Sequence, residues 1–207
     1  MVTVLAGPSG KVRRVHMKKN KTGKVTPKAV PAPLNKRTFA FLLDWYLGSA
    51  LSAVPAGILW NMQTGEAAIN TDITQFAFPW GWLAGLLGLL AGAVYYYLVP
   101  LRIWPGQTLG KRLMRIRITG CDDTFLPAGR LAIRQVVGIM ILEGSFMITG
   151  QYATQMLTML TAGAVGSVWN YLMLGLFLIS VWMVYKNGQA VHDLWADSKV
   201  VNLTENI

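Results

Sequence analysis

The stretch that decides the fold runs from Phe76 to Leu101 and reads FAFPWGWLAGLLGLLAGAVYYYLVPL. It contains no charged residue, and at a rise of about 1.5 Å per residue a helix of this length crosses a hydrocarbon core about 30 Å thick. We therefore predict a membrane-spanning helix over residues 76–101. One face of this helix carries only small residues, which allows a neighbouring helix to approach closely: Gly81, Gly85, Gly88 and Gly92.

Three further apolar stretches lie on either side of it, at residues 38–60, 131–150 and 156–185. The last contains no charge, and the first is interrupted only by Asp44. Residues 131–150 are the weakest candidate because they hold Arg134 and Glu143. This segment either crosses the membrane, with Arg134 reaching back to the headgroups, or lies flat in the interface.

The charges indicate how these stretches are oriented. The 207 residues include 19 Lys and Arg but only 9 Asp and Glu, while the mean hydropathy is +0.41. With four spans all nineteen basic residues fall on one side, which the positive-inside rule places in the cytoplasm. With three spans, Lys186 and Lys199 would lie on the other side and spoil this pattern. We therefore predict an all-α integral membrane protein, a four-helix transmembrane bundle with both termini cytoplasmic.

Residues 1–34 are predicted to form a flexible basic arm. Ten of the nineteen basic residues lie within the first 37 positions, which contain no acid. Beside a membrane each of these cations gains about 1 kcal/mol from anionic headgroups, so anionic lipid is the expected partner. A solvated extension and an arm that binds another macromolecule are the alternatives. No motif for reading nucleic acid is present, and we expect no nucleic-acid partner.

The segment between the second and third stretches, residues 102–130, is predicted to lie on the cytoplasmic surface. Leu109, Leu113 and Ile116 are spaced for one face of an amphipathic helix. From Met114 the pattern changes to the alternation of a strand, for which residues 124–126 are the predicted hairpin partner and residues 198–203 a third strand. The segment also presents a predicted basic surface: Lys111, Arg112, Arg115, Arg117, Arg130 and Arg134.

Four motifs in order give the chain a resemblance to a known family. They are Arg37 with Asp44, the Gly-Gln-Thr-Leu-Gly-Lys-Arg block at 106–112, the Arg130…Arg134 pair, and residues 189–201 with Asp193. Over residues 35–203 the chain resembles the RDD family of small membrane proteins, named for one arginine and two aspartates. The resemblance implies a bacterial cytoplasmic-membrane protein with a role linked to transport, and makes Asp193 the second aspartate.

Two acids inside the apolar stretches are candidate ion-binding residues. Asp44 lies two helical turns after Arg37, about 10 Å further along the helix. An ionised aspartate there must face a partner charge or water, so it either binds a cation or proton or forms a structural ion pair with Arg37 or another basic residue. Glu143 is deeper. It is neutral or paired, and suited to carrying a proton, if its segment spans the membrane, and solvated if the segment lies in the interface.

His192 and Asp193 follow the last apolar stretch. We expect them to cap a helix and form salt bridges, with Asp193 pairing with Arg37, Arg112 or Arg130. A metal site is not expected, because the sequence has no HExxH motif, only His16 as a second histidine, and a lone Cys121. No catalytic constellation or cofactor fingerprint is present either, so we expect neither an enzyme nor a cofactor.

Two functions fit these features. The first is transport, as a cation/proton exchanger working as a homo-oligomer, because four helices are few for an exchange route. The second is an accessory or scaffold subunit that binds anionic lipid and a larger membrane partner.

Overall fold

The structure is a computed structural model that describes residues 29–203, together with the backbone of residues 2–6, 12–19 and 25–27. Helix α1 covers Leu34–Thr64. Helix α2 covers Trp80–Ala93 and continues directly into a first π-helix, Val94–Ile103. Helix α6 covers Gly166–Asn187. By length and composition, α1, α2 with its π-helix, and α6 are able to cross a membrane.

A further helical stretch is broken in its middle. Helix α4 (Ala128–Ala132) continues into a second π-helix, Ile133–Leu142, and the chain leaves the helix at Glu143. A 3-10 turn, Gly144–Phe146, leads into helix α5, Ile148–Leu160. Gly144 favours this break, because glycine is a weaker helix former than the apolar residues before it.

The predicted boundaries 131–150 and 156–185 were wrong. Residues 150–155, predicted to be a loop, lie inside α5, and the chain reverses at residues 161–165 instead. Ala162 and Gly163 adopt positive φ there, at 49° and 89°. Hydropathy does not distinguish this turn from the helices beside it, because residues 148–185 contain no charged residue.

Helix α5 packs antiparallel to α2 along the predicted glycine face. A methyl group at Gly88 would lie 2.3 Å from Cε2 of Tyr152, so only glycine permits this approach. The second π-helix runs in the same antiparallel sense. Nε2 of Gln135 donates to the carbonyl oxygen of Tyr96 at 2.7 Å, and five residues later Met140 lies beside Gly92. The facing residues follow one another in order along the two helices: Gly92 with Thr149, Gly88 with Tyr152, Gly85 with Met156 and Gly81 with Met159.

A small sheet closes one end of the helices. Helix α3 (Leu109–Leu113) is followed by strand β4, Ile116–Gly120, and β4 pairs antiparallel with β5, Ser198–Asn202. The chain just before α1 joins β5, because the backbone N–H of Asn202 donates to the carbonyl of Val30 at 2.8 Å. The strand predicted at 198–203 is thereby confirmed.

The hairpin predicted for residues 124–126 was wrong. The backbone N–H of Gly120 donates to the carbonyl of Thr124 at 2.9 Å, which closes a tight turn. Pro127 follows almost at once and precedes α4. Proline has no N–H to donate to a strand ladder, so too little chain remains for a returning strand, and β4 pairs with β5 instead.

The basic arm contains strands that the sequence did not predict. Strands β1 (Val2–Ala6), β2 (Val12–Lys19) and β3 (Val25–Pro27) form an antiparallel sheet in that order. Basic residues interrupt the apolar alternation of β2, and β1 and β3 are only five and three residues long, which hides the usual strand signal. The other residues of the arm up to position 28 lie outside the described part of the chain, and its flexibility stays a prediction.

Candidate functional site

A cavity of about 320 Å³ lies among α1, α6, α7 (Val191–Trp195) and the second π-helix. Much of its wall is apolar, with side chains such as Phe41, Ile139 and Phe177. Into the same wall the fold brings most of the charged residues singled out in the sequence: Arg37, Asp44, Lys111, Arg134, Glu143 and His192.

Asp44, on α1, is enclosed by hydrogen-bond donors and is only 2% exposed. Its Oδ1 accepts from the Tyr95 hydroxyl at 2.7 Å and from the backbone N–H of Gly110 at 2.9 Å. Its Oδ2 accepts from the hydroxyl of Thr108 and from Nζ of Lys111, the latter at 3.0 Å. The basic partner of Asp44 is therefore Lys111 and not Arg37.

The block at residues 106–112 supplies three of these donors. It forms the turn into α3, which brings the Thr108 hydroxyl, the Gly110 N–H and the Lys111 ammonium onto one carboxylate. A methyl group at position 110 would lie 2.4 Å from the carbonyl oxygen of Ala40 and 2.8 Å from Oδ1 of Asp44. The glycine is thus needed for α3 to approach α1 this closely.

Asp193, on α7, is fully buried between two arginines. Arg134 donates to its Oδ1 from Nη2 at 2.6 Å and from Nε at 3.0 Å, and Arg37 donates to its Oδ2 from Nη2 at 2.9 Å. Burial alone would raise the pKa of this carboxyl, but the charges of Arg134, His192 and Arg37 and the N–H of Ala190 hold that pKa below its usual value. Asp193 is accordingly an ionised carboxylate that ties α1, α7 and the second π-helix together.

The surroundings of the two aspartates are joined by hydrogen bonds. Nη1 of Arg134 donates to Oε1 of Gln135 at 2.9 Å, and Nε2 of Gln135 donates to the Tyr96 carbonyl at 2.7 Å. The Tyr96 hydroxyl in turn donates to the backbone carbonyl of Asp44 at 2.8 Å. Both π-helices take part in this chain, and π-helical turns are frequent at functional sites.

Glu143 lies at the helix break and is 8% exposed, so it is not the solvated interfacial residue of the second alternative. Its Oε1 accepts from the backbone N–H of His192 at 3.1 Å, and its Oε2 lies 2.7 Å from Nδ1 of the same residue. Nε2 of His192 lies 3.7 Å from Oδ1 of Asp193. The histidine therefore stands between two buried acids.

The predicted basic surface is divided between the interior and the surface. Lys111 and Arg134 point inward, and the prediction that Arg134 reaches the headgroups was wrong: it is 1% exposed because Asp193 pairs with it. Arg130 pairs with Asp197 at 2.9 Å, not with Asp193. Arg112 and Arg117 lie over the rings of Trp104 and Phe125, and Arg115 is exposed.

Four polar residues of the site were missed from the sequence: Tyr95, Tyr96, Thr108 and Gln135. Each is uncharged, so the charge pattern did not single it out. The available signal was a polar side chain within or beside an apolar helix, where every buried polar group needs a partner. Within the described residues, no group of three His, Cys, Asp or Glu residues is placed to hold a metal ion.

Long apolar helices around a core of paired charges define a small helical membrane protein. Comparison with protein-family models identifies its family. The chain belongs to the RDD family, whose model matches residues 31–197. Comparison with curated proteins and with solved structures gave no match.

Proposed function

We propose that the protein is a transport protein of the bacterial cytoplasmic membrane that exchanges a cation for a proton as a homo-oligomer. The observation that carries this proposal is the cavity, because it places two buried carboxylates, Asp44 and Glu143, beside open space among apolar helices. Ionisable residues within membrane helices are costly and mark ion or proton routes.

The proposal includes four membrane crossings. Helices α1, α2 with its π-helix, and α6 are three of them, and the broken stretch from Ala128 to Leu160 is the fourth, since it runs antiparallel to α2. All basic residues outside the cavity then fall on the cytoplasmic side with both termini. Loops 65–79 and 161–165, which contain Glu66 and Asp72 but no cation, lie outside.

Unpaired hydroxyls support a route beyond the cavity. Within the described residues, the hydroxyls of Ser52, Thr149 and Tyr152 are buried without a hydrogen-bond partner. All three residues contact the Gly88–Gly92 face of α2. Buried polar groups of this kind are usually satisfied by water, which would extend a polar route towards the outer end of the helices.

The test uses purified protein in vesicles that contain a pH-sensitive dye. Addition of Na⁺ or K⁺ should change the internal pH, and protein-free vesicles should show no such change. Asp44→Asn should lose the signal, whereas Asp72→Asn, in an outer loop, should keep it. Equal signals from the wild type and Asp44→Asn would contradict the proposal. Cross-linking in the same vesicles tests the homo-oligomer.

An accessory or scaffold subunit is the second candidate, with anionic lipid and a larger membrane protein as partners and no catalytic role. Helix α6 favours it, because large apolar side chains remain exposed along its whole length, among them Tyr171, Leu178 and Trp182. Mild detergent extraction followed by pull-down distinguishes the two candidates. A partner-free homo-oligomer would count against this second function.

A further inference from the structure

We propose that Glu143 and His192 form one binding site that holds either a proton or a monovalent metal cation, and that the two compete for it. This inference rests on the proposed exchange function and assigns its site. The site lies at the break of the third helical stretch, where both side chains line the cavity.

The partners of the three buried carboxylates single out this pair. Asp44 is paired with Lys111, and Asp193 is paired with Arg37 and Arg134. Lysine and arginine keep their charge throughout the physiological pH range, whereas an unperturbed histidine gains or loses its proton within it. Asp193 also lies 3.7 Å from His192, but its two arginines hold its charge, so among the described residues Glu143 is the buried acid that pairs with a histidine and with no lysine or arginine.

The carboxylate of Glu143 has room for another ligand. An ionised carboxylate offers about four acceptor positions, and the contacts from His192 occupy two of them. The cavity beside it, at about 320 Å³, is large enough for a cation with attached water molecules. Oxygen is the donor atom that hard cations such as Na⁺ and K⁺ prefer.

The surrounding charges prevent the site from holding a proton and a metal cation at the same time. Arg37 on α1 and Arg134 on the second π-helix line the same cavity as the pair, and Asp193 on α7 lies 3.7 Å from His192. With a neutral imidazole these five side chains sum to zero. Asp44 and Lys111 on the adjoining wall also sum to zero. A proton or a cation brings the cluster to one positive charge, while both together would bury two, which is strongly unfavourable. Exchange of one for the other is electroneutral.

Gly138 positions the pair. A methyl group there would lie 2.4 Å from Cβ of His192, so α7 reaches the helix break only because position 138 has no side chain. Gly138 also holds the end of the π-helix, since its carbonyl accepts from the backbone N–H of Glu143, the residue after Leu142, at 2.8 Å. Gly138→Ala should separate His192 from Glu143 while leaving both ionisable groups in the chain.

The first experiment measures binding without transport. In a His16→Gln background the only imidazole is that of His192, and its ring ¹⁵N signals are followed by NMR during a pH titration in nanodiscs. The pH at which the ring loses its proton should fall by up to about one unit for each tenfold rise in Na⁺ or K⁺, relative to choline. It should not respond in Glu143→Gln or Gly138→Ala. A wild-type midpoint that neither cation moves would overturn the inference.

The second experiment measures exchange in vesicles. Glu143→Gln should lose at least tenfold in rate, and Glu66→Gln, an exposed acid of the outer loop, should match the wild type. If Glu143→Gln does not fold, His192→Gln replaces it and should also lose at least tenfold in rate, because the imidazole is half of the proposed site. If whichever of these two variants folds exchanges as fast as the wild type, the proposed binding site is wrong but the proposed exchange function still stands. A wild type without exchange contradicts the proposed function, and the NMR titration still decides on the binding site.

Discussion

The guanidinium of Arg134 meets the carboxylate of Asp193 through two hydrogen bonds, 2.6 Å and 3.0 Å long, at a point where neither residue is more than 1% exposed. The two side chains come from segments 59 positions apart. An ion pair this deeply buried repays its desolvation only when its geometry is good and its remaining groups are bonded. Gln135, Ser198 and Arg37 supply those further bonds.

Removal of one partner of this ion pair should strongly destabilise the folded protein. Arg134→Met should lower the free energy of unfolding by about 3–5 kcal/mol, because it leaves a buried carboxylate with one cation fewer. Arg134→Lys should not restore the lost stability, since an ammonium cannot reproduce the two guanidinium hydrogen bonds to Asp193. Arg130→Met is the matched control, since the Arg130–Asp197 pair is exposed and worth about 0–1 kcal/mol. Tryptophan fluorescence during thermal unfolding in detergent measures all three, and equal losses at 130 and 134 would contradict this expectation.

Asp193 also predicts how stability depends on pH. Its pKa in the folded protein lies below the unfolded value of about 4. The ionised form therefore stabilises the fold above about pH 4, and this contribution is lost as the pH falls further. The difference in thermal midpoint between the wild type and Asp193→Asn should accordingly narrow from pH 7 to about pH 3. A difference that stays constant over this range would refute the assignment.

Two glycine substitutions separate the Asp44 contacts from general helix effects. Gly110→Ala should destabilise the protein by about 1–3 kcal/mol, because the new methyl group overlaps the Ala40 carbonyl and displaces α3 from Asp44. Gly129→Ala, also in a short helix, meets nothing within 4 Å and should be neutral or stabilise by up to about 1 kcal/mol. Thermal midpoints in detergent compare them, and a similar loss at both positions would argue against the role given to Gly110.

Cysteine labelling tests the four crossings. In a Cys121→Ser background, Glu66→Cys and Ala164→Cys should react with a membrane-impermeant maleimide added to intact cells, because both positions lie in the proposed outer loops. Lys199→Cys should react only after the membrane is opened. Reaction of Lys199→Cys in intact cells would reverse the orientation of α7 and β5 and remove the fourth crossing.

Hydropathy and charge were sufficient to predict three long apolar helices, though not the start of α6, and the small-residue face of α2. They could not locate the turn at residues 161–165, because Ala162 and Gly163 break the helix through their backbone angles and not through polarity. They also could not place the partner of β4, since β5 lies about 80 residues later and strand pairing over that distance leaves no local pattern.

The same limit applies to the site. The resemblance indicated that Arg37, Asp44 and Asp193 matter, and the pairing of Asp193 with Arg37 was among the predicted alternatives. Arg134 was misplaced because a cation near the start of an apolar stretch usually extends to the headgroups. Only the position of Asp193 in three dimensions reverses that preference. Glu143 and His192, which are 49 positions apart, likewise had no sequence signal for their contact.

The long separation of Arg37 from Asp193 has a consequence for how the protein is made. The aspartate follows its arginine by 156 positions, so α1 leaves the ribosome and enters the membrane well before its counter-charge has been synthesised. Arg134 is likewise synthesised before Asp193, by 59 positions. Until α7 and β5 emerge, both cations must be sheltered by water, lipid phosphate or an insertion factor. The charges of this domain are therefore paired only once α7 and β5 have been synthesised. A ribosome that stalls before Asp193 leaves the two arginines without their carboxylate, which marks the chain as incomplete.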